Sequence, residues 1–394
     1  MLRASRFVAS FSAILAIGFV AEVSAQTTPT PPEPGVTESS VRIGMVAGVT
    51  GAVSDLGVEI KRGFEAYVNK VNASGGVAGR KIEVLFRDDG YKPENTVHLT
   101  RELIEKEKVF ALAGYIGTPT TKALLPLIEK EQIPNLAPYT GGDFMRAPFN
   151  RNLFPGQPAY GDEVEKLVSH LVADLGIKEI GIFTQDDEVG NTGRASLVRA
   201  LDKRGLKIHG AGIYSAKNPG DVANALSALQ ATKPKAVILF SILKATVPFL
   251  KAAKDANFKP VFAAFSPVNS LKLIEALGRD VEGIYVTEGM PWPTDSSVPL
   301  IRTFQEDLKV TPDKVALPAT VSGYMSAAIL VTGLKKAGRN LTRESFRAAL
   351  ESLRNHDLGG PRLTYTPEHH GGLSNIYLTK IRNGKIIPIQ KFEN

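Results

Sequence analysis

The sequence predicts an α/β protein built on two doubly wound parallel sheets. Three observations carry this expectation. Apolar runs of six to nine residues alternate with segments whose apolar residues recur every three or four positions. The runs are largely continuous rather than alternating with polar residues, as strands covered on both faces require. The alternation also halts at an aromatic and proline-rich stretch, FNRNLFPGQPAY (149–160), and then restarts, so there are two such units.

Taken in order, VRIGMVAGV (41–49) is a strand ending in a Gly/Thr turn. Ile60, Phe64, Tyr67, Val68 and Val71 then form one helix face that stops at Ser74-Gly75-Gly76. Strands at 81–88, 109–116 and 133–139 follow, separated by helices at 94–107 and 120–131. The second unit opens on the stripe Val164, Leu167, Val168, Leu171, Val172 and Leu175. Strands at 179–185, 207–215, 235–241, 259–266 and 283–288 come next, with helices at 192–204, 220–231, 245–256 and near 270–277. Three helices in succession, near 297–308, 318–337 and 342–352, do not extend a sheet naturally. The chain is therefore expected to recross to the first domain near 286 and return near 360. A hairpin about Asn383-Gly384 closes it.

Composition bounds the function. The 394 residues carry 47 Lys+Arg against 40 Asp+Glu and no cysteine. A surplus of seven charges is too dilute to suggest a nucleic-acid partner. Without cysteine there are no disulfides, thiolate metal sites or cysteine nucleophile. At the N-terminus, Arg3 and Arg6 precede an apolar stretch from Phe7 to about Val20 that ends in Val23-Ser24-Ala25. This is the pattern of a secretory signal peptide with cleavage expected after about Ala25, its core falling short of the roughly 20 residues a spanning helix needs. Residues 26–40, QTTPTPPEPGVTESS, read as a flexible leader outside the fold.

Neither a GxSxG elbow, HExxH, a Walker loop nor GxGxxG opening a βαβ unit is found, so no enzymatic activity, cofactor or metal is expected. His369-His370 beside Gly371-Gly372 reads as a surface turn. Asp88-Asp89 and Asp186-Asp187-Glu188 follow strands and are expected to cap helices or grip a domain interface. Two strand-end turns are rich in glycine and hydroxyls, where a doubly wound sheet binds its ligand. In Gly114–Thr121, Thr118 suits the N-cap and Pro119 the first helical position, so the amides and hydroxyls of Thr120 and Thr121 are expected to face the crevice. In Pro138–Asp143, Tyr139, Thr140 and Gly141 follow a strand end. Tyr115, Tyr139, Phe154 and Tyr160 can line an apolar pocket.

From Thr50 to Pro138, most specifically over Asn69–Arg80 ending in Gly-Gly-Val-x-Gly-Arg-Lys and followed by Asp88-Asp89, the sequence resembles the periplasmic solute-binding proteins of branched-chain amino acid (Leu/Ile/Val-type) ABC importers. The likeness runs from about Val41 to Ile389. It implies a type I periplasmic binding fold, with lobe 1 over 41–156 plus 286–360 and lobe 2 over 157–285 plus 361–394. Three crossover strands would join the lobes, which close on a ligand by hinge bending. It also implies a periplasmic location, with ABC permease and ATPase subunits as partners; a monomer is expected. Carried over residue by residue, Thr118 to Thr120 and Tyr139 to Gly141 would take the ligand carboxylate. Leu56 and Val189 fall where the family has aromatics, and Ile242 and Ser266 fall near its ammonium-binding tyrosine and glutamate. Leu56, Ile242 and Phe265 would then build an apolar wall. The expected ligand set is Thr118, Pro119, Thr120, Tyr139, Thr140, Gly141, Leu56, Tyr115, Asp89, Val189, Ile242, Ser266 and Phe265. The ligand is expected to be a carboxylate with an apolar or aromatic end, since a buried ammonium without an anionic partner is costly. A ligand sensor that contacts a signalling partner is the alternative to a transport receptor.

Overall fold

The computed structural model describes residues 1–2, 33–309 and 316–393. The first sheet is assembled from β1 (Ser40–Val46), α1 (Ser54–Ala73), β2 (Lys81–Arg87), α2 (Pro93–Glu105), β3 (Ala111–Ala113), α3 (Thr118–Ala123), α4 (Leu125–Glu131), β4 (Asn135–Leu136) and β5 (Leu153–Phe154). Its strands lie in the order β2-β1-β3-β4-β5, all parallel. β3 and β4 are shorter than their apolar runs because Gly114 (φ +69°) and Ala137 (φ +45°) turn the chain out of extended geometry. The helix expected over 120–131 is two pieces, parted at Leu124. Pro126 follows at once, and proline has no N–H with which to continue a helix.

The second sheet follows with α5 (Tyr160–Ala173), β6 (Ile180–Gln185), α6 (Glu188–Asp202), β7 (Ala211–Tyr214), α7 (Ala223–Thr232), β8 (Ala236–Phe240), α8 (Leu243–Asp255), β9 (Val261–Ala264), α9 (Ser270–Leu277) and β10 (Tyr285–Glu288). The chain then leaves it for α10 (Pro299–Leu308), α11 (Pro318–Ala337), α12 (Arg343–Glu351), β11 (His356–Asp357), β12 (Arg362–Thr366) and β13 (His369–Leu373). It ends in β14 (Tyr377–Arg382) and β15 (Lys385–Ile389). The order is β15-β14-β10-β9-β8-β6-β7, with the closing hairpin antiparallel on the β10 edge. α11 lies against α1 at very close range. A Cβ on Gly63 would fall 1.9 Å from the Thr320 carbonyl, and one on Gly323 1.9 Å from that of Ile60. That contact holds the helical tail against α1.

Three expectations need correction. Residues 33–40 are not a free leader: Arg42 N–H donates to the Gly35 carbonyl at 2.8 Å, Arg80 Nε to the Thr37 carbonyl at 2.5 Å, and Ser40 already belongs to β1. Proline and threonine leave a chain extended, and an extended backbone pairs with a strand whatever its side chains. Residues 26–32 and 3–25, including the expected cleavage site, lie outside the described residues. The return also comes later than 360. β12 and β13 stay on the first half, where Tyr365 Oη donates to the Pro155 carbonyl at 2.8 Å, and the chain joins the second sheet at Tyr377. Finally, His369-His370 is part of a strand. Strand alternation turns His370 inward, where it is 1% exposed, stacked on Phe154 at 4.1 Å with Nδ1 2.6 Å from the Leu153 carbonyl.

Candidate ligand-binding site

The carboxyl ends of β3 and β4 converge on one corner of the cleft. Tyr139 N–H donates to the Tyr115 carbonyl at 2.7 Å and Gly117 N–H to the Tyr139 carbonyl at 3.1 Å, so the two turns run side by side. This register brings the Thr118 and Thr140 hydroxyls 2.8 Å apart, both buried, and Gly142 N–H donates to Thr140 Oγ1 at 3.1 Å. Tyr160, at the start of α5, points its phenol at Thr118, Thr140 and the Gly141 main chain. Burial pushes that phenol up to about 12, so it is neutral and able to donate. Gly141 has no room for a side chain, since a Cβ would lie 2.5 Å from the Tyr160 ring.

Opposite this corner lies an apolar wall. One cavity, partly open to solvent, is lined by Val53, Leu56, Tyr91, Ile116, Gly117, Thr118, Tyr139, Tyr160, Val189, Ile242, Phe265 and Pro267. None of these is a charged residue. The acids around the cleft are engaged elsewhere. Glu163 accepts from Ser266 N–H and Oγ, both at 3.0 Å, and from Thr287 Oγ1 at 2.6 Å; burial pushes it up to about 7. Glu288 accepts from Ser270 Oγ at 2.8 Å, and burial, with the Glu163 charge nearby, pushes it up to about 8. Asp187 caps α6 and takes Gln185 Nε2 at 2.8 Å, while Asp55 takes Asn269 Nδ2 at 3.2 Å. Burial raises both aspartates from their ordinary value.

The Asp55–Asn269 bond crosses the cleft from one half to the other. So do the Lys122–Glu188 ion pair at 2.7 Å, the Arg199–Asp143 pair and the bond from Lys244 Nζ to the Gly51 carbonyl. The charged pairs are partly exposed and each is worth little, on the order of 0–1 kcal/mol. They nonetheless mark a conformation in which the two halves are in contact.

Of the residues expected from sequence, Leu56, Thr118, Tyr139, Tyr160, Val189, Ile242 and Phe265 line this one cavity, and Thr140 and Gly141 stand directly behind Thr118. The others do not face it. Gly117, not Thr118, is the N-cap of α3, which moves Pro119 to the second helical position. Thr120 Oγ1 donates back to the Ile116 carbonyl and, at 3.0 Å, to that of Gly117, so its hydroxyl is spent on its own helix turn. Thr121 is buried but outside the lining. Tyr115 lies in a separate core cluster with its hydroxyl 2.9 Å from Thr100 Oγ1. Phe154 stacks on His370 away from the cleft. Asp89 holds Tyr91 N–H at 2.8 Å and Thr96 Oγ1 at 2.6 Å. Ser266 turns inward to Glu163, which recruits both its donors. Sequence reasoning missed Tyr91, Val53 and Pro267; the Asp-Asp-Gly-Tyr turn after a strand was the available signal for the first.

A family model described as periplasmic binding protein matches residues 40–385. The chain belongs to that family. The Leu/Ile/Val-binding protein homolog 3 of Brucella melitensis is 21% identical over 364 residues, covering 89% of this chain and 94% of the relative. Among solved structures, one described as a possible leucine/isoleucine/valine-binding protein from Rhodopirellula baltica is 27% identical at TM-score 0.84, covering 92% and 98% of the two chains. A substrate-binding periplasmic protein from Ralstonia solanacearum is 26% identical at TM-score 0.83, covering 89% and 100%. This periplasmic binding protein has the type I fold of those structural neighbours. Its family is one of periplasmic binding proteins.

Proposed function

We propose that this periplasmic binding protein closes its two halves on a small monocarboxylic acid with an aromatic or branched aliphatic end, and delivers it as a monomer to a membrane permease and its ATPases. In this reading it performs no bond-making chemistry. The observation that carries it is a cavity with hydroxyls at one corner and only uncharged side chains elsewhere. Thr118, Thr140, Tyr160 and the Gly141 main chain are suited to a carboxylate through charge-assisted hydrogen bonds, each roughly twice as strong as a neutral one. Leu56, Val189, Ile242 and Phe265 are suited to an apolar body, whose burial contributes about 25 cal/mol per Å². An α-ammonium would meet no free anion, because Glu163, Asp187 and Asp55 already hold other donors.

Titration calorimetry against benzoate, phenylacetate, 4-methylpentanoate, leucine and valine tests the reading. Binding of one or more of the plain acids, with the amino acids much weaker, is the expected result. Tight binding of leucine or valine would refute it.

A further inference from the structure

Tyr91 differs from every other non-glycine residue of the cavity lining in its backbone. Its φ is +62°, a region that bulky side chains rarely adopt. The turn that holds it there is firmly built. Asp89, 1% exposed, accepts the Tyr91 N–H on Oδ1 at 2.8 Å and the Thr96 hydroxyl on Oδ2 at 2.6 Å, and its carbonyl accepts Lys92 N–H at 3.2 Å. Two glycines make room for the side chain. A Cβ on Gly117 would lie 2.3 Å from the ring carbon Cε2, and one on Gly48 would lie 3.1 Å from Tyr91 Cβ.

The result is a phenol ring pressed against Gly117, beside the hydroxyl corner, in a cavity that Tyr160 and, from the Asp187 turn, Val189 also line. Its hydroxyl makes no hydrogen bond among the described residues, and burial keeps it protonated. The ring therefore acts on the cavity through its volume. A strained conformation persists only where its surroundings enforce it. Here the capped turn and the two glycines do so, and what they achieve is to hold a six-membered ring in the space between Gly117 and the second half.

We propose that Tyr91 is a specificity-determining plug, whose ring occupies space between the Gly117 turn and the Asp187 turn and so restricts the ligand to compact acids. This rests on the carboxylate reading above. Removing the ring leaves a void of its own shape, and an apolar void accepts a ring from outside. An acid that carries its phenyl group on a longer chain, such as 4-phenylbutanoate, then fits where only compact acids fitted before.

The test compares 4-methylpentanoate with 4-phenylbutanoate by titration calorimetry on the wild-type protein, Tyr91→Gly and Tyr91→Phe. Glycine adopts φ +62° without strain, so Tyr91→Gly keeps the turn while deleting the ring. Phenylalanine keeps the ring and removes only the hydroxyl. The wild type is expected to prefer 4-methylpentanoate by at least tenfold, Tyr91→Phe to keep that ratio, and Tyr91→Gly to lower it by tenfold or more. A ratio in Tyr91→Gly within twofold of the wild type overturns the plug. So does a Tyr91→Phe protein whose ratio shifts as far as that of Tyr91→Gly, because the hydroxyl rather than the ring would then set specificity. A wild-type protein that binds neither acid, nor the other plain acids above, overturns the carboxylate reading and the plug with it.

Discussion

Replacing Glu163 with glutamine should make folding stability less dependent on pH. Glu163 is fully buried, and burial pushes its carboxyl from 4.5 up to about 7 against the opposing pull of Thr287 and Ser266. A carboxyl whose proton is held more tightly in the folded state stabilises fully below the unfolded value, and that stabilisation is lost as pH rises through the folded value. A rise from 4.5 to about 7, at about 1.36 kcal/mol per pH unit, corresponds to roughly 3 kcal/mol lost between pH 4.5 and 8. Glutamine mimics the protonated acid. Its amide oxygen can accept from Ser266 N–H and Thr287 Oγ1, and its amide nitrogen can donate to Ser266 Oγ, in place of the bonds now at 3.0, 2.6 and 3.0 Å. Urea unfolding of both proteins, followed by circular dichroism at pH 5 and pH 8, gives the comparison. The two should be close at pH 5, with Glu163→Gln more stable by about 2–3 kcal/mol at pH 8. His370, which burial lowers to about 4, works in the opposite direction, but it cancels in the difference between the two proteins. A stability difference that is the same at pH 5 and pH 8 would refute the reasoning.

Other outcomes follow from the same contacts. Thr118→Val together with Thr140→Val should weaken ligand binding by about 2–4 kcal/mol in calorimetry, because two hydroxyl contacts to a carboxylate are lost. Thr120→Val, whose hydroxyl serves only the Ile116 and Gly117 carbonyls, should leave affinity unchanged. A chain beginning at Val41 should melt below one beginning at Glu33, since it lacks the Gly35–Arg42 and Thr37–Arg80 bonds; equal melting temperatures would show that these contacts add nothing. Because His370 is held neutral, its contribution is present above its unfolded value near 6.5 and is lost as pH falls toward 4. His370→Phe should flatten that acid limb in denaturant titrations. Small-angle scattering should show a smaller radius of gyration with a bound acid than without it, and identical radii would count against closure.

The architecture was legible wherever periodicity ran long enough. The helices at 270–277 and 318–337 have the bounds their apolar spacing predicts. β5, of two residues, and the small sheet of β11 to β13 were not legible, because two-residue strands and a His-His-Gly-Gly run carry no period. In the site, the resemblance placed Leu56, Val189, Ile242 and Phe265 where they meet. It failed where a local hydrogen bond competed with the cleft. The Thr120 hydroxyl is satisfied one turn back in its own helix. Ser266 is drawn inward by Glu163, which in sequence is one polar residue on an amphipathic helix. Tyr91 was missed because the Asp-Asp-Gly-Tyr turn signals only a bend, whereas its role depends on a left-handed backbone and on two distant glycines.

The central claim is that the cleft takes a carboxylate without an ammonium. Leucine and 4-methylpentanoate share one carbon skeleton and differ only in the amino group, so their relative affinity, measured by calorimetry on the same preparation, isolates that group. Binding of 4-methylpentanoate at least a hundredfold tighter than leucine is the predicted result. Leucine binding as tightly or more tightly would contradict the account.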